Sequence, residues 1–127
     1  MEDREAISTK DAPSPTGPYA QALAGAGMIF VSGQLPITSS GEGLLEANFA
    51  TQVRQALANV FAIVRAGGST PDRILKVTAF VVGLERSPEF NAVYAEAFGA
   101  HRPARSMVPV SQLANGYLVE IEAIALQ

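Results

Sequence analysis

Two stretches with the apolar spacing of amphipathic helices, set among short segments rich in β-branched residues, constrain the fold of this chain most strongly. In residues 49–66 apolar side chains recur every three or four positions, and Gln52 and Asn59 fall outside that apolar face. Asn48 is suited to cap the start of this helix, and Ser87 is predicted as the N-cap of a second one. Helices of this kind bury one face, so a layered domain with the helices against a sheet is expected.

Short segments of β-branched and aromatic residues around the two helices predict that sheet. Five of the six strands are expected at about residues 19–23, 28–32, 74–82, 104–110 and 118–125. The Pro-rich opening to Gly17 is interpreted as an irregular arm, and the turn signal Asn115-Gly116 favours a hairpin between the last two strands. We predict the order β-β-β-α-β-α-β-β in one α+β domain, residues 1–127, with two helices on one face of a mixed sheet. Because the segment 74–82 is apolar on both faces, a second subunit is expected to cover the other face.

The absence of cysteine and the presence of a single histidine exclude several kinds of chemistry. Without cysteine there is no disulfide framework, thiolate nucleophile or Cys-rich metal site. With His101 alone, one chain cannot build a multi-histidine metal site or a two-histidine acid and base pair. No Gly-x-Gly-x-x-Gly, Walker A or Gly-x-Ser-x-Gly pattern is present, so a nucleotide cofactor has no support. We expect no cofactor and no metal.

The charge balance and the hydropathy limit the possible partners. A formal net charge of −3 and a pI near 5.0 argue against a general nucleic-acid binder, which needs a field of Lys and Arg. The acidic opening shows no secretory or transit peptide, and the longest apolar stretch, residues 28–31, is far too short to span a bilayer. A soluble cytoplasmic protein without membrane association is therefore expected.

Three charged residues near the C-terminus are the first candidates for a site. Arg105 opens a predicted strand, and its guanidinium can hold a carboxylate or phosphate through two hydrogen bonds. Glu120 and Glu122 alternate with apolar residues, so both carboxylates lie on one face of a strand, about 6–7 Å apart. They either pair with Arg102 or Arg105 across the predicted hairpin, or face a partly dry pocket where a carboxylate can move protons. Residue chemistry alone does not decide between the ion pair and the pocket.

Four further residues are candidates for the lining of a pocket. Tyr19, Ser32 and Asn91 each offer a polar group, although each also has an ordinary structural explanation as a bonded hydroxyl, a strand end or a first-turn residue. Gly33 either allows a ligand to approach its backbone N–H or forms a turn. The aromatic residues of the second helix are interpreted as core packing.

Several motifs spread along the chain together resemble the RidA/YjgF family of reactive-intermediate deaminases, also called endoribonuclease L-PSP. They are Ala12-Pro13, Gly17-Pro18-Tyr19, Val31-Ser32-Gly33-Gln34-Leu35-Pro36, Gln55-Ala56-Leu57-Ala58-Asn59-Val60, Pro103-Ala104-Arg105-Ser106 and Val119-Glu120-Ile121-Glu122-Ala123-Ile124-Ala125. The resemblance implies a chorismate-mutase-like α+β fold that assembles as a homotrimer, with ligand sites between subunits. It also implies hydrolysis of enamines and imines, such as 2-aminoacrylate, to a 2-keto acid and ammonia.

The same resemblance implies roles for individual residues. Arg105 matches the arginine that binds the substrate carboxylate, and Glu120 matches the carboxylate that positions and activates the attacking water. Tyr19, Ser32, Gly33 and Asn91 match positions that line the site.

Met107 is where the chain departs from the family pattern, because many members have cysteine there. If that cysteine acts through its backbone, methionine preserves the contact and changes the shape of the pocket. We therefore include Met107 among the substrate-binding residues and expect it to affect substrate preference more than activity.

Two other functions compete with the deaminase hypothesis. A non-catalytic trimeric module that binds small carboxylates would need Arg105 but not Glu120. A ribonuclease, which the second family label suggests, is disfavoured by the acidic balance and by the lack of a second histidine. The sequence does not identify the physiological imine or the enzyme that generates it.

Overall fold

The structure, a computed structural model, describes residues 3–127 and contains six strands and two longer helices. The elements are β1 (Arg4–Ile7), β2 (Ala22–Gly25), β3 (Met28–Gln34), α1 (Phe49–Ala66), β4 (Ile74–Val81), α2 (Ser87–Phe98), β5 (Ala104–Pro109) and β6 (Val119–Leu126). Three short 3₁₀ turns, at residues 71–73, 84–86 and 114–116, complete the chain. Among the described residues, no helix is long and apolar enough to cross a membrane.

The six strands form one mixed sheet in the order β1-β2-β3-β6-β4-β5, and both helices pack on the same face of it. Only β4 and β5 are parallel; all other neighbours are antiparallel. The predicted α+β class, element order and one-sided helix layer are confirmed. The strand at Arg4–Ile7 corrects the interpretation of the whole opening as an irregular arm, because its backbone pairs with β2 despite its polar composition.

One hairpin forms early in the chain, and the hairpin predicted near its end does not. Residues Ala26 and Gly27 join β2 to β3 in a two-residue turn with φ of 54° and 77°, as in a type I′ turn. The hairpin predicted between the last two strands is wrong, because β5 pairs with β4 and β6 lies on the other side of β4. Asn115 does adopt a left-handed φ of 57°, but its turn only leads the chain into β6. Because β4 lies between β5 and β6, Arg105 on β5 is separated from Glu120 on β6.

Helix α1 supplies much of the core and also holds the long loop before it. The side chain of Asn48 accepts a hydrogen bond from the backbone N–H of Thr51 at 2.9 Å, which confirms the predicted cap. Gln52 and Asn59 lie outside the apolar pattern, yet both are buried. The buried amide of Asn59 is paired, because it donates hydrogen bonds to the carbonyls of Leu35 and Ile37. These bonds fix the loop that precedes the helix.

Helix α2 begins one residue earlier than predicted. Ser87 is its first helical residue instead of its N-cap, because a 3₁₀ turn at residues 84–86 runs directly into the helix. The Ser87 hydroxyl donates to the carbonyl of Leu84 at 2.7 Å and does not cap a helical N–H. Phe90, Val93, Tyr94 and Phe98 form its buried stripe.

The sheet face opposite the helices is open and partly apolar. Leu23, Phe30 and Ile124 are cross-strand neighbours there, with Leu23 43% and Phe30 45% exposed. Leu126, two residues along β6 from Ile124, extends the same face. An exposed patch of this kind marks a surface suited to association.

Candidate functional site

Glu120 and Glu122 face one cleft on the open side of the sheet, as their spacing predicted. The cleft encloses about 440 Å³ where β3 departs from regular pairing with β6. It is lined by Pro13, Ser14, Pro15, Thr16, Tyr19, Gln21, Ser32, Gly33, Gln34, Leu35, Ile37, Glu120 and Glu122. Five residues chosen from the sequence are therefore brought together, namely Tyr19, Ser32, Gly33, Glu120 and Glu122, and we name this region the Glu120 cleft.

The carboxylate of Glu120 is half-buried beside a glycine that leaves room for it. A Cβ added to Gly33 would lie 2.5 Å from Oε2 of Glu120. Neither a turn nor an exposed backbone N–H is needed to explain this glycine, because any larger residue would displace the carboxylate. Burial raises the pKa of Glu120, and the like charge of Glu122 raises it further. Such a group is a better proton acceptor than an exposed carboxylate.

Tyr19 and Ser32 form one wall of the Glu120 cleft and are held by the main chain. The Ser32 hydroxyl donates to the carbonyl of Ala20 at 2.7 Å. The hydroxyl oxygen of Tyr19 accepts a hydrogen bond from the backbone N–H of Thr16 at 3.4 Å, so its own proton is free to be donated. Both hydroxyls consequently retain hydrogen-bonding capacity toward a ligand.

Residues 13–16, which the sequence suggested only as part of an irregular arm, also line the cleft. Buried Gln21 fixes this segment: its amide donates to the carbonyls of Thr9 and Pro13 at 3.1 and 3.0 Å, and its carbonyl accepts from Thr9 N–H at 2.7 Å. The position of Gln21 between Ala20 and Ala22 was the available signal, since a buried amide among small apolar residues must have partners.

Arg105 lies on the other face of the sheet, against α2. It is opposite Val77 in the parallel ladder, and Val77 points into the core beneath the helices. Its guanidinium carbon lies 4.9 Å from the ring centroid of Tyr94 and 5.5 Å from that of Phe90. Asn91 joins Arg105 in a smaller pocket of about 280 Å³, which we name the Arg105 pocket.

The residues chosen from the sequence thus fall into two separate groups. Glu120 is in β6 and Arg105 is in β5, with β4 between them, so their strands are roughly 10 Å apart and the side chains point to opposite faces. The alternative that the glutamates form an ion pair with Arg102 or Arg105 is therefore wrong. Within residues 3–127, the only ion pair joins Arg4 and Asp3 at the surface.

Met107 belongs to neither group. Its side chain is partly buried and packs against the hydrophobic core, opposite Ala79 in the ladder. Its strand, β5, is at the edge of the sheet, so one side of its main chain has no partner strand among the described residues. Its role in substrate binding stays a prediction.

No cluster of metal-binding side chains accompanies these two pockets. In the described part of the chain, no group of three or more His, Asp or Glu residues could hold a metal ion. His101, the single histidine, bonds through Nε2 to the carbonyl of Ile74 at 2.7 Å. That contact joins the segment before β5 to the start of β4, and His101 lines neither the Glu120 cleft nor the Arg105 pocket.

Comparison with known proteins decides the family. A family model described as Endoribonuclease L-PSP matches residues 9–127. The 2-iminobutanoate/2-iminopropanoate deaminase of Escherichia coli K12 is 42% identical over 124 residues, covering 95% of this chain and 96% of that protein. The chain belongs to the RidA/YjgF family.

Solved structures of RidA/YjgF relatives agree with the architecture. The crystal structure of the YjgF gene product from Escherichia coli is 42% identical and superposes with a TM-score of 0.91, covering 97% of this chain and 98% of that one. Escherichia coli TdcF, solved with bound serine, is 38% identical with a TM-score of 0.91 and the same coverage. The predicted family and its fold are confirmed, and at least one RidA/YjgF relative binds a small amino acid.

Proposed function

We propose that this chain is a cofactor-free hydrolytic deaminase of reactive enamines and imines such as 2-aminoacrylate, releasing a 2-keto acid and ammonia. The observation that carries the proposal is the half-buried Glu120 carboxylate, whose pKa is raised, in a cleft whose Tyr19 and Ser32 hydroxyls retain hydrogen-bonding capacity. The 42% identity to an iminobutanoate and iminopropanoate deaminase supports the same reaction class.

Glu120 is assigned the proton transfers. In the imine tautomer, the carbon is already electrophilic, so water attacks it while the Glu120 carboxylate accepts one water proton and passes it to the imine nitrogen. The resulting carbinolamine carries the new C–O bond and an amino group. Glu120 then accepts the hydroxyl proton and returns it to the nitrogen, so that the C=O bond forms as the C–N bond breaks and ammonia leaves. No net proton, electron or cofactor is consumed.

Arg105 is assigned the substrate carboxylate. Its guanidinium is exposed and makes no hydrogen bond or ion pair with any residue in 3–127, so its donors are free. A planar guanidinium can bind both oxygens of a carboxylate. Asn91, exposed beside it, is placed to add an amide contact.

Because the two groups face opposite sides of one sheet, we place the complete site between two copies of the chain. The open face offers the contact: Tyr19, Ser32 and Glu122 line the Glu120 cleft and also a depression with Leu23 and Phe30. A second copy that covers this apolar surface would bring its own residues to the edge of the cleft. We propose the homotrimer implied by the family resemblance.

The test generates 2-aminoacrylate with a serine dehydratase and follows keto-acid release with and without this protein. Acceleration is expected from the wild type and is expected to be lost in Arg105→Ala and Glu120→Gln. Arg65→Ala and Glu46→Gln, which remove exposed residues outside both pockets, serve as matched controls. A wild-type protein without effect, or full activity in Arg105→Ala, would refute the proposal.

The same variants separate catalysis from simple binding. An enzyme requires that Glu120→Gln abolish turnover and still bind a 2-keto acid through Arg105. A binding module predicts no turnover in the wild type and unchanged binding in Glu120→Gln. Two carboxylates in the Glu120 cleft disfavour a polyanion such as RNA.

A further inference from the structure

The guanidinium of Arg105 is exposed but rests on an aromatic surface. Tyr94 and Phe90 are one helical turn apart in α2, and their rings stack with centroids 5.5 Å apart and planes at 28°. The Arg105 guanidinium carbon lies 4.9 Å from the Tyr94 centroid and 5.5 Å from the Phe90 centroid. Both distances are within the range in which a ring face attracts a cation.

The hydroxyl of Tyr94 does not explain why the residue is there. Its oxygen is buried, and the described chain provides no hydrogen-bond partner for it. A buried phenol without a partner costs free energy, so the hydroxyl does not stabilise the core. The contact that Tyr94 does make is between its ring and the cation of Arg105, together with its packing against Phe90 and Phe98.

We propose that Tyr94 is a positioning residue that holds the guanidinium of Arg105 ready for a carboxylate. The guanidinium carbon lies over the ring, and within residues 3–127 none of the guanidinium N–H groups makes a hydrogen bond or ion pair, so they stay available to a carboxylate. An arginine without this support would have to lose rotamer freedom on binding, which weakens affinity. The inference rests on the proposed function in one respect, namely that Arg105 binds the substrate carboxylate.

The experiment is titration calorimetry with 2-oxobutanoate on Tyr94→Leu, which removes the ring. Loss of a cation–π contact is expected to weaken binding about 3- to 30-fold. Tyr94→Phe, which keeps the ring, is expected to restore affinity to within about twofold of wild type because the hydroxyl is not the contact. Phe61→Leu, which removes a ring from α1 away from Arg105, controls for general loosening of the helix layer.

A double-mutant cycle shows whether Tyr94 acts through Arg105. In the Arg105→Ala background, Tyr94→Leu is expected to change the residual affinity by less than about twofold. The methyl ester of 2-oxobutanoate, which has no carboxylate, is expected to bind wild type and Tyr94→Leu equally. In turnover assays, the KM should rise and kcat should stay close to wild type, since Tyr94 does not touch the reacting carbon. If Tyr94→Leu does not fold, Tyr94→Met fills the space without a ring.

Three results would overturn the inference: wild-type affinity in Tyr94→Leu, equal losses in Tyr94→Phe and Tyr94→Leu, or an undiminished effect in the Arg105→Ala background. A different result would count against the proposed function itself. If Arg105→Ala binds 2-oxobutanoate as wild type does, Arg105 is not the carboxylate anchor, whatever Tyr94 does.

Discussion

The Glu120 cleft and the Arg105 pocket differ in burial, in charge and in the way the central side chain is held. In the cleft, a carboxylate is half-buried, has a second carboxylate beside it and fits into the space above a glycine. In the pocket, a guanidinium is exposed at the edge strand and lies on two rings. One environment disfavours its charge, whereas the other supports its charge and leaves its donors free.

The difference assigns separate tasks to the two regions. A proton acceptor gains basicity from partial burial, so the cleft suits acid and base chemistry. A carboxylate anchor must keep its charge and its geometry, which the aromatic surface of the pocket provides. Since the regions face opposite sides of the sheet, the proposed reaction needs two copies of the chain, and the proposed homotrimer would form the active site.

The largest effect is expected when the two regions are inactivated in different chains. Arg105→Ala and Glu120→Gln should each be inactive, with loss of the general base alone costing about 100- to 10,000-fold in kcat. When the two variants are unfolded together and refolded, each shared site can draw Arg105 from one chain and Glu120 from the other. With random mixing, roughly a quarter of the sites should contain both groups. Keto-acid release by the mixture measures this recovery.

Each variant refolded alone is the control for that mixture and should stay inactive. A mixture as inactive as its components, with mixed assemblies demonstrated by native mass spectrometry, would place both groups in one subunit's site. It would thereby contradict the intersubunit arrangement.

A second prediction concerns the space that Gly33 leaves for Glu120. In Gly33→Ala the new Cβ would lie 2.5 Å from Oε2, so the carboxylate must move while the backbone can remain in place. Displacement of a catalytic group by about 1 Å is expected to lower kcat on the order of 100-fold. The matched control is Gly25→Ala, where the nearest atom would be 3.6 Å from the new Cβ. Steady-state kinetics on the two folded variants measures the effect. A wild-type kcat in Gly33→Ala would contradict the prediction.

The elements were predictable where local sequence determines them. Asn48 capped its helix as expected, and the alternation of Glu120 and Glu122 placed both carboxylates on one face. The hairpin between the last strands was not predictable in this way. Asn115-Gly116 is a strong local turn signal, but the pairing of β5 with β4 depends on where α2 returns the chain.

The candidate site was predicted as residues rather than as a geometry. The motifs named Arg105 and Glu120, but no local pattern shows that they face opposite sides of the sheet. Tyr94 was interpreted as core packing, which is correct for its burial and incomplete for its contact with Arg105. The hydrogen bonds by which Gln21 holds residues 13–16 were also missed, because their acceptors are backbone carbonyls 8 to 12 positions earlier in the chain.

A smaller effect is expected from the second carboxylate of the Glu120 cleft. The charge of Glu122 raises the pKa of Glu120, so Glu122→Gln should lower that pKa. Glu120 must be ionised to accept a proton from water, and activity therefore falls as the pH drops through its pKa. The acid limb of the kcat profile should accordingly move to lower pH in Glu122→Gln. Glu46→Gln, at an exposed position outside the cleft, should leave the acid limb of the kcat profile unchanged. Equal profiles for the wild type, Glu122→Gln and Glu46→Gln would show that Glu122 does not influence the pKa of Glu120.

The smallest effect is expected on the free energy of unfolding, because half-burying the Glu120 carboxylate destabilises the folded state at neutral pH. Because burial raises the pKa of Glu120 in the folded chain, the folded state favours the protonated form. Its contribution to stability is present below the ordinary carboxyl pKa and is lost as the pH rises through the raised value. Glu120→Gln is neutral at every pH, so it should melt slightly above the wild type at pH 7.5. The difference should shrink at acidic pH, because wild-type Glu120 is then protonated in both states. Thermal unfolding at matched protein concentration measures the difference; a less stable Glu120→Gln at pH 7.5 would mean that the carboxylate is stabilised in the cleft instead.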